Sequence, residues 1–178
     1  PDGATEEELK RFNKLAQTIV FTSQGIPFSY AGEELYRTKM GDHNSYQSPD
    51  AINQIVWDQK TTHEDVFNYY RNLIRLRHQH PAFRMPTREM VQQHLTFLDV
   101  PDTPNVVAYS ISGNANGDPA AEILVILNGN RKPVKLAIPQ QSWKVLAHDG
   151  MINPDGMGTA TGPELWIGAS SATILVLL

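Results

Sequence analysis

The chain has 178 residues and a mass of 19.9 kDa, with 40% apolar residues, 19% charged residues and a formal net charge of −4. Ordinary apolar content and low charge exclude a disordered chain, and area scaling leaves about 8,700 Å² exposed on folding, enough burial for one core or two small ones. No apolar run approaches the ~18 residues of a membrane span, so no membrane insertion is expected, and no basic cluster offers a nucleic-acid surface. Cysteine is absent, which removes disulfides and thiolate chemistry and fits a secreted, periplasmic or cytoplasmic setting alike. The chain opens at Pro1 without an initiator Met or a signal peptide, so it reads as a processed or truncated piece.

The first 80 residues read as helical. Thr5-Glu6-Glu7-Glu8 has the capping-box pattern, in which Thr5 accepts from a free amide and Glu8 reaches back. Leu9, Phe12, Leu15, Ala16 and Ile19 then recur at helical spacing, and Gly25 supplies a stop. Ile26-Pro27-Phe28-Ser29-Tyr30 has the length of one buried strand. A connection of about thirty residues follows, and a second helix starts at Thr62-His63-Glu64-Asp65, buries Val66, Tyr69, Tyr70, Leu73, Ile74 and Leu76, and ends before Pro81. A lone strand has no ladder partner. It implies a larger parallel α/β assembly whose other strands are elsewhere, and its exposed edge implies that this half is unstable by itself.

From residue 91 the texture changes. Short strand-like runs cover 91–98, 105–112, 122–127, 134–138, 143–147, 164–167 and 173–178, separated by turns such as Asn128-Gly129-Asn130. That spacing predicts an antiparallel β-sandwich. Trp143 and Trp166, each in a predicted strand, are expected in its core.

The long connection carries the candidate chemistry. It is several times longer than the usual strand-to-helix link and rich in amides, hydroxyls, carboxylates and aromatics, groups that suit a sugar; a merely solvated loop is the alternative. Glycoside hydrolysis needs two carboxyl groups facing one bond. Adjacent Glu33 and Glu34 would point apart in an extended segment, so they are read as orienting the loop, by pairing with Arg37 or a backbone amide. Asp42 and Asp50 suit either hydroxyl binding or turn capping. The six His have no metal-ligand spacing, and no Gly-x-Ser-x-Gly elbow is present.

The segment Gly25-Ile26-Pro27-Phe28-Ser29-Tyr30-Ala31-Gly32-Glu33-Glu34, with Arg37-Thr38-Lys39 and Gly41-Asp42-His43-Asn44-Ser45-Tyr46, resembles the α-amylase superfamily and within it the type I pullulanases. Val56 and Ser29-Tyr30 depart from that pattern. The resemblance implies that residues 26–30 are the eighth strand of a (β/α)8 barrel and that the connection borders the substrate cleft. The fold class expected is therefore α+β, an incomplete (β/α)8-barrel end (helix, strand, long loop, helix; residues 1–83) followed by an antiparallel β-sandwich (84–178).

The function implied is hydrolysis of α-1,6-glucosidic bonds in pullulan, amylopectin or related glucans. The family's Asp, Glu and Asp catalytic acids would all precede Pro1, so no catalytic residue is assigned here and the chain alone is expected to be inactive. Asp42, Asn44, Tyr46, Asp50 and Asn53 are the candidate substrate-binding residues. Asn44 and Asn53 would bond hydroxyls, and Tyr46 would stack or shape a branch pocket. The partners implied are a branched α-glucan and the preceding barrel segment. No cofactor or metal site is assigned, with calcium left open. Isoamylase, glycogen debranching or branching activity, or a non-catalytic glucan-binding module, are the alternatives.

Overall fold

A computed structural model describes residues 3–178. Helix α1 (Glu6–Thr22) has the expected capping box: Glu8 N donates to Thr5 Oγ1 at 3.2 Å, and Thr5 N donates to Glu8 Oε2 at 2.9 Å. Two single-turn helices, α2 (Asp50–Asn53) and α3 (Gln59–Thr62), interrupt the long connection before α4 (Glu64–Gln79). Helix α4 starts two residues later than expected, because Thr62 is taken up by α3. A 3-10 turn (Pro81–Arg84) and α5 (Arg88–His94) lead into the strands.

Nine strands follow: β1 (Leu95–Leu98), β2 (Val106–Ser112), β3 (Glu122–Asn128), β4 (Val134–Ala137), β5 (Ser142–His148), β6 (Met151–Ile152), β7 (Thr159–Thr161), β8 (Glu164–Ile167) and β9 (Ser171–Leu177). Seven form one antiparallel sheet in the order β1-β2-β3-β9-β5-β6, with β7 also on β5; β4 and β8 pair as a separate ribbon. The short β6 and β7 had no sequence signal.

Alternation along the central strands feeds two cores. Tyr109, Ile111, Ile123, Val125, Ile174 and Val176 point to one side, where Leu15 and Phe21 of α1 and Tyr69, Leu73 and Leu76 of α4 meet them. Ala108, Leu124, Ile126, Trp143 and Leu175 point to the other, against Leu136 and Ile167 of the ribbon. Helices, large sheet and ribbon thus make three layers. Strands covered on both faces are apolar at every position, which explains the unbroken Ile123-Leu124-Val125-Ile126-Leu127. The helical half is not left without a partner, as its sequence suggests; the sheet is that partner.

Five expectations change. Ile74, expected on the buried face of α4, is 48% exposed, because it falls beside the covered stripe of Val66, Tyr69, Tyr70, Leu73, Leu76 and Arg77. Residues 26–30 form no strand and join no ladder, and Ile26 and Phe28 are 97% and 82% exposed. A strand needs a neighbour to take its backbone groups, and among the described residues no strand supplies one. The run expected as a strand from 91 starts as helix α5, because Thr87 accepts from Met90 N and caps it, leaving only 95–98 extended. Helix α1 buries Gln17 and Thr18 while Ala16 and Ile19 face outward, because Thr18 Oγ1 finds Lys14 O at 2.8 Å and Tyr69 Oη at 2.7 Å. Trp143 is fully buried, but Trp166 is 57% exposed on the outward face of the ribbon. The total exposed area, 9950 Å², exceeds the scaling value, in keeping with these uncovered apolar groups.

The end of α1 is held by Arg77 of α4. Its guanidinium donates to Phe21 O at 2.8 Å, Ser23 O at 2.8 Å and Gly25 O at 2.5 Å, while Tyr109 Oη donates to Thr22 O at 3.0 Å. Carbonyls at a helix end have no partner inside the helix, and here α4 and β2 supply partners. Desolvation lowers the Arg77 pKa from its ordinary value, with Arg84 adding to it.

A second buried anchor joins α4 to the β2–β3 connection. His80 Nδ1 donates to Asp118 Oδ1 at 2.9 Å, and Ala120 N and Ala82 N donate to the same carboxylate at 2.9 and 3.0 Å. Burial by itself raises the Asp118 pKa, but these bonds outweigh it and the group sits below its usual value.

Arg77→Met keeps the stem and removes the donors, so it should destabilise the fold by about 3 kcal/mol or more, read as a lower denaturation midpoint in urea. Asp118→Asn should cost about 2 kcal/mol at pH 7. Because the folded pKa lies below the unfolded value near 3.9, the carboxylate's contribution is complete above about pH 4 and lost as pH falls through the folded value. Urea midpoints of the two proteins should therefore converge in acid.

Candidate functional site

The connection between residues 31 and 61 is built from its base. Gly32 has φ +96°, and a Cβ there would lie 2.7 Å from Arg37 Cδ, so both backbone and space call for glycine. Leu35, 1% exposed, anchors the 3-10 turn Glu33–Leu35 in the interior. Glu33 Oε2 accepts from Gln17 Nε2 at 3.0 Å, Tyr30 N at 3.2 Å and Ser29 Oγ at 3.3 Å. Glu34 Oε2 accepts from Gly32 N at 2.9 Å. Neither pairs with Arg37, which instead donates to Ala31 O at 3.0 Å and to Asn53 O.

The outer part of the connection folds over Asn53. Its Nδ2 donates to Ser45 O at 2.7 Å and Ser48 O at 2.6 Å, and its Oδ1 accepts from Lys39 Nζ at 2.6 Å. Asp42 Oδ1 accepts from Asn44 N at 2.9 Å and Oδ2 accepts from Ser48 Oγ. Ser48 foremost, then the Asn44 amide, holds the Asp42 pKa below its ordinary value. Lys39, and less strongly Arg37, does the same for the Tyr30 phenol.

This folding leaves an open hollow of about 510 Å³ lined by Tyr30, Arg37, His43, Asn44, Ser45, Tyr46, Asn53 and Ile55. Of the predicted binding residues, Asn44, Tyr46 and Asn53 meet there. Asp42 and Asp50 do not line it: Asp42 closes a turn, and Asp50 is exposed at the start of α2. Tyr46 is 77% exposed and the Asn44 side chain is free of protein partners among the described residues, whereas both N–H donors of Asn53 are taken and its oxygen accepts from Lys39. Sequence reasoning missed Tyr30, Arg37, His43, Ser45 and Ile55 as lining groups, although all but Ile55 lie inside the motif that drew notice. No carboxylate lines the hollow, so a two-carboxylate hydrolysis has no acid here. Amides, an imidazole, phenol faces and one guanidinium suit a neutral polyhydroxylated ring.

Residues 91–151 match the family model described as "Pullulanase, all-beta domain". Over 98% of its length the chain superimposes on a pullulanase from Bacillus acidopullulyticus with a TM-score of 0.91 at 39% identity, covering 21% of that chain. The chain matches the C-terminal portion of the pullulanases.

The pullulanase of Bacillus subtilis (strain 168) is 38% identical over 126 residues, 71% of this chain and 17% of that enzyme. A pullulanase from Anoxybacillus sp. complexed with maltotetraose matches with a TM-score of 0.86 at 34% identity, over 98% of this chain and 24% of its own. An isoamylase from Flavobacterium sp. is 26% identical over 156 residues, 77% of this chain and 20% of that enzyme. The chain thus spans about a fifth of the length of the pullulanases and isoamylases it matches. The α+β architecture, helices on an antiparallel sheet, is that of the pullulanase C-terminal region.

Gly32→Ala should loosen this connection, at a cost of about 1–3 kcal/mol from the strained backbone and the displaced Arg37. Limited proteolysis should cut within residues 38–48 roughly tenfold faster, with cleavage in β3 and β9 unchanged.

Proposed function

We propose that this chain is the C-terminal part of a pullulanase-type debranching enzyme that hydrolyses α-1,6-glucosidic bonds in branched α-glucans. The observation that carries the reading is the match in fold and sequence along nearly the whole chain to pullulanases, one of them complexed with maltotetraose. In this reading residues 26–30 complete a barrel sheet, which accounts for an unpaired segment whose Ile26 and Phe28 side chains are bare. The outward Ile19 of α1 would face a neighbouring barrel helix.

The acid, nucleophile and stabilising carboxyl group would come from the preceding barrel segment, the chain's first partner. The loop ends of a (β/α)8 barrel make its active site, so the hollow beside Tyr30 would form one wall of the cleft. Asn44 would bond sugar hydroxyls and the Tyr46 ring would cover the apolar face of a glucose unit. Asp50 would stand at the outer rim, and Asp42, Glu33 and Glu34 would hold the connection in shape. An isoamylase-type specificity is the second reading, favoured by the matches to isoamylases.

The complete enzyme should release reducing ends from pullulan and not from unbranched amylose, whereas marked preference for glycogen over pullulan would support the isoamylase reading. Tyr46→Ala should raise KM for pullulan about tenfold with little change in kcat, because a stacking contact made equally before and during reaction affects binding alone. The 178-residue chain by itself should release none. Hydrolysis by the isolated chain would refute the proposed division of labour.

A further inference from the structure

We infer that Asn53 is a positioning residue: with Lys39 it latches the Asn44–Ser48 turn in place and has no N–H left to donate to sugar. The inference rests on the debranching reading above and assigns a role within that site. A primary amide has two N–H donors and one carbonyl oxygen. In Asn53 the donors go to Ser45 O and Ser48 O, at 2.7 and 2.6 Å, which bracket Tyr46 on both sides. The oxygen accepts from Lys39 Nζ at 2.6 Å, and the Asn53 backbone carbonyl accepts from Arg37. No donor is left for a hydroxyl.

The latch has a fixed end and a working end. Arg37 also donates to Ala31 O, and Lys39 and Arg37 both lie against the Tyr30 ring, 5.6 and 5.5 Å from its centre. The latch is thereby referred to the end of segment 26–30. At the other end the turn is closed again by Asp42, which accepts from Asn44 N and Ser48 Oγ. Asn44 and Tyr46, exposed on this turn, thus take their positions from contacts made by residues that are not exposed with them. Removing the Asn53 amide would leave two carbonyls and an ammonium group without their partners and let the turn move while the protein stays folded.

The test uses two measurements. In the complete enzyme, Asn53→Ala should raise KM for pullulan roughly ten- to a hundredfold, with kcat within about threefold and an unchanged thermal midpoint. Adding Tyr46→Ala should change little further, since both substitutions remove the same contact. Lys39→Met should give a smaller rise, and Lys39→Arg, which keeps a donor, should restore most of it. In the 178-residue chain, hydrogen exchange should quicken across residues 42–48 in Asn53→Ala and stay unchanged in α4 and β3.

Unmodified enzyme that leaves pullulan intact would sink the debranching reading, while faster exchange in 42–48 would still support the latch. Ordinary KM in Asn53→Ala, full additivity with Tyr46→Ala, or unaltered exchange would overturn the latch. If Asn53→Ala does not fold, Lys39→Met decides: a raised KM supports the latch and an unchanged one overturns it.

Discussion

The geometry depends first on how the carbonyl end of α1 is satisfied. Helix ends carry unpaired backbone groups, and this one lies against the interior, where leaving them bare would cost a desolvation penalty at each carbonyl. Arg77 of α4 answers Phe21 O, and Ser23 O and Gly25 O just past the helix, and Tyr109 of β2 answers Thr22 O. One guanidinium therefore ties two helices together, and the phenol ties them to the sheet. The same contacts set the point and direction at which the chain leaves α1 toward residues 26–30, and hence where the long connection begins.

Around that junction the large sheet acts as a shared wall. Its two faces are consumed by different partners, helices on one side and the β4–β8 ribbon on the other. A continuous apolar core between helices and sheet gives segment 26–30 and its loop a rigid base. Function, in the reading proposed, belongs to the part that this core does not cover. The bare apolar segment meets the rest of a barrel, and the polar turn beside it meets substrate.

The candidate site divides by whether a polar group is already used. Asp42, Glu34, Arg37, Lys39 and Asn53 spend their hydrogen bonds on the loop itself and Glu33 on α1 and residues 29–30, while Asn44 and Tyr46 remain open. From composition alone all of these look like sugar ligands, since the groups that bind hydroxyls are the ones that close turns. Residue type marked the loop as a candidate, but the division into scaffold and open surface is a matter of geometry.

Local signals settled what depends on near neighbours along the chain. The Thr5–Glu8 box started α1, alternating or unbroken apolar runs marked β2, β3, β8 and β9, and the length and amide content of residues 31–61 singled out the candidate loop. Contacts distant in sequence decided the rest. Which face α1 buries turned on Tyr69 reaching Thr18, fifty-one residues away, and burying Thr18 left Ile19 outside. Trp166 stayed exposed because the ribbon has only one covered face, and Asn53 was engaged because folding brought Lys39, Ser45 and Ser48 around it. A side chain's chemistry is written in its residue type; whether that chemistry remains available is decided by what the fold puts beside it.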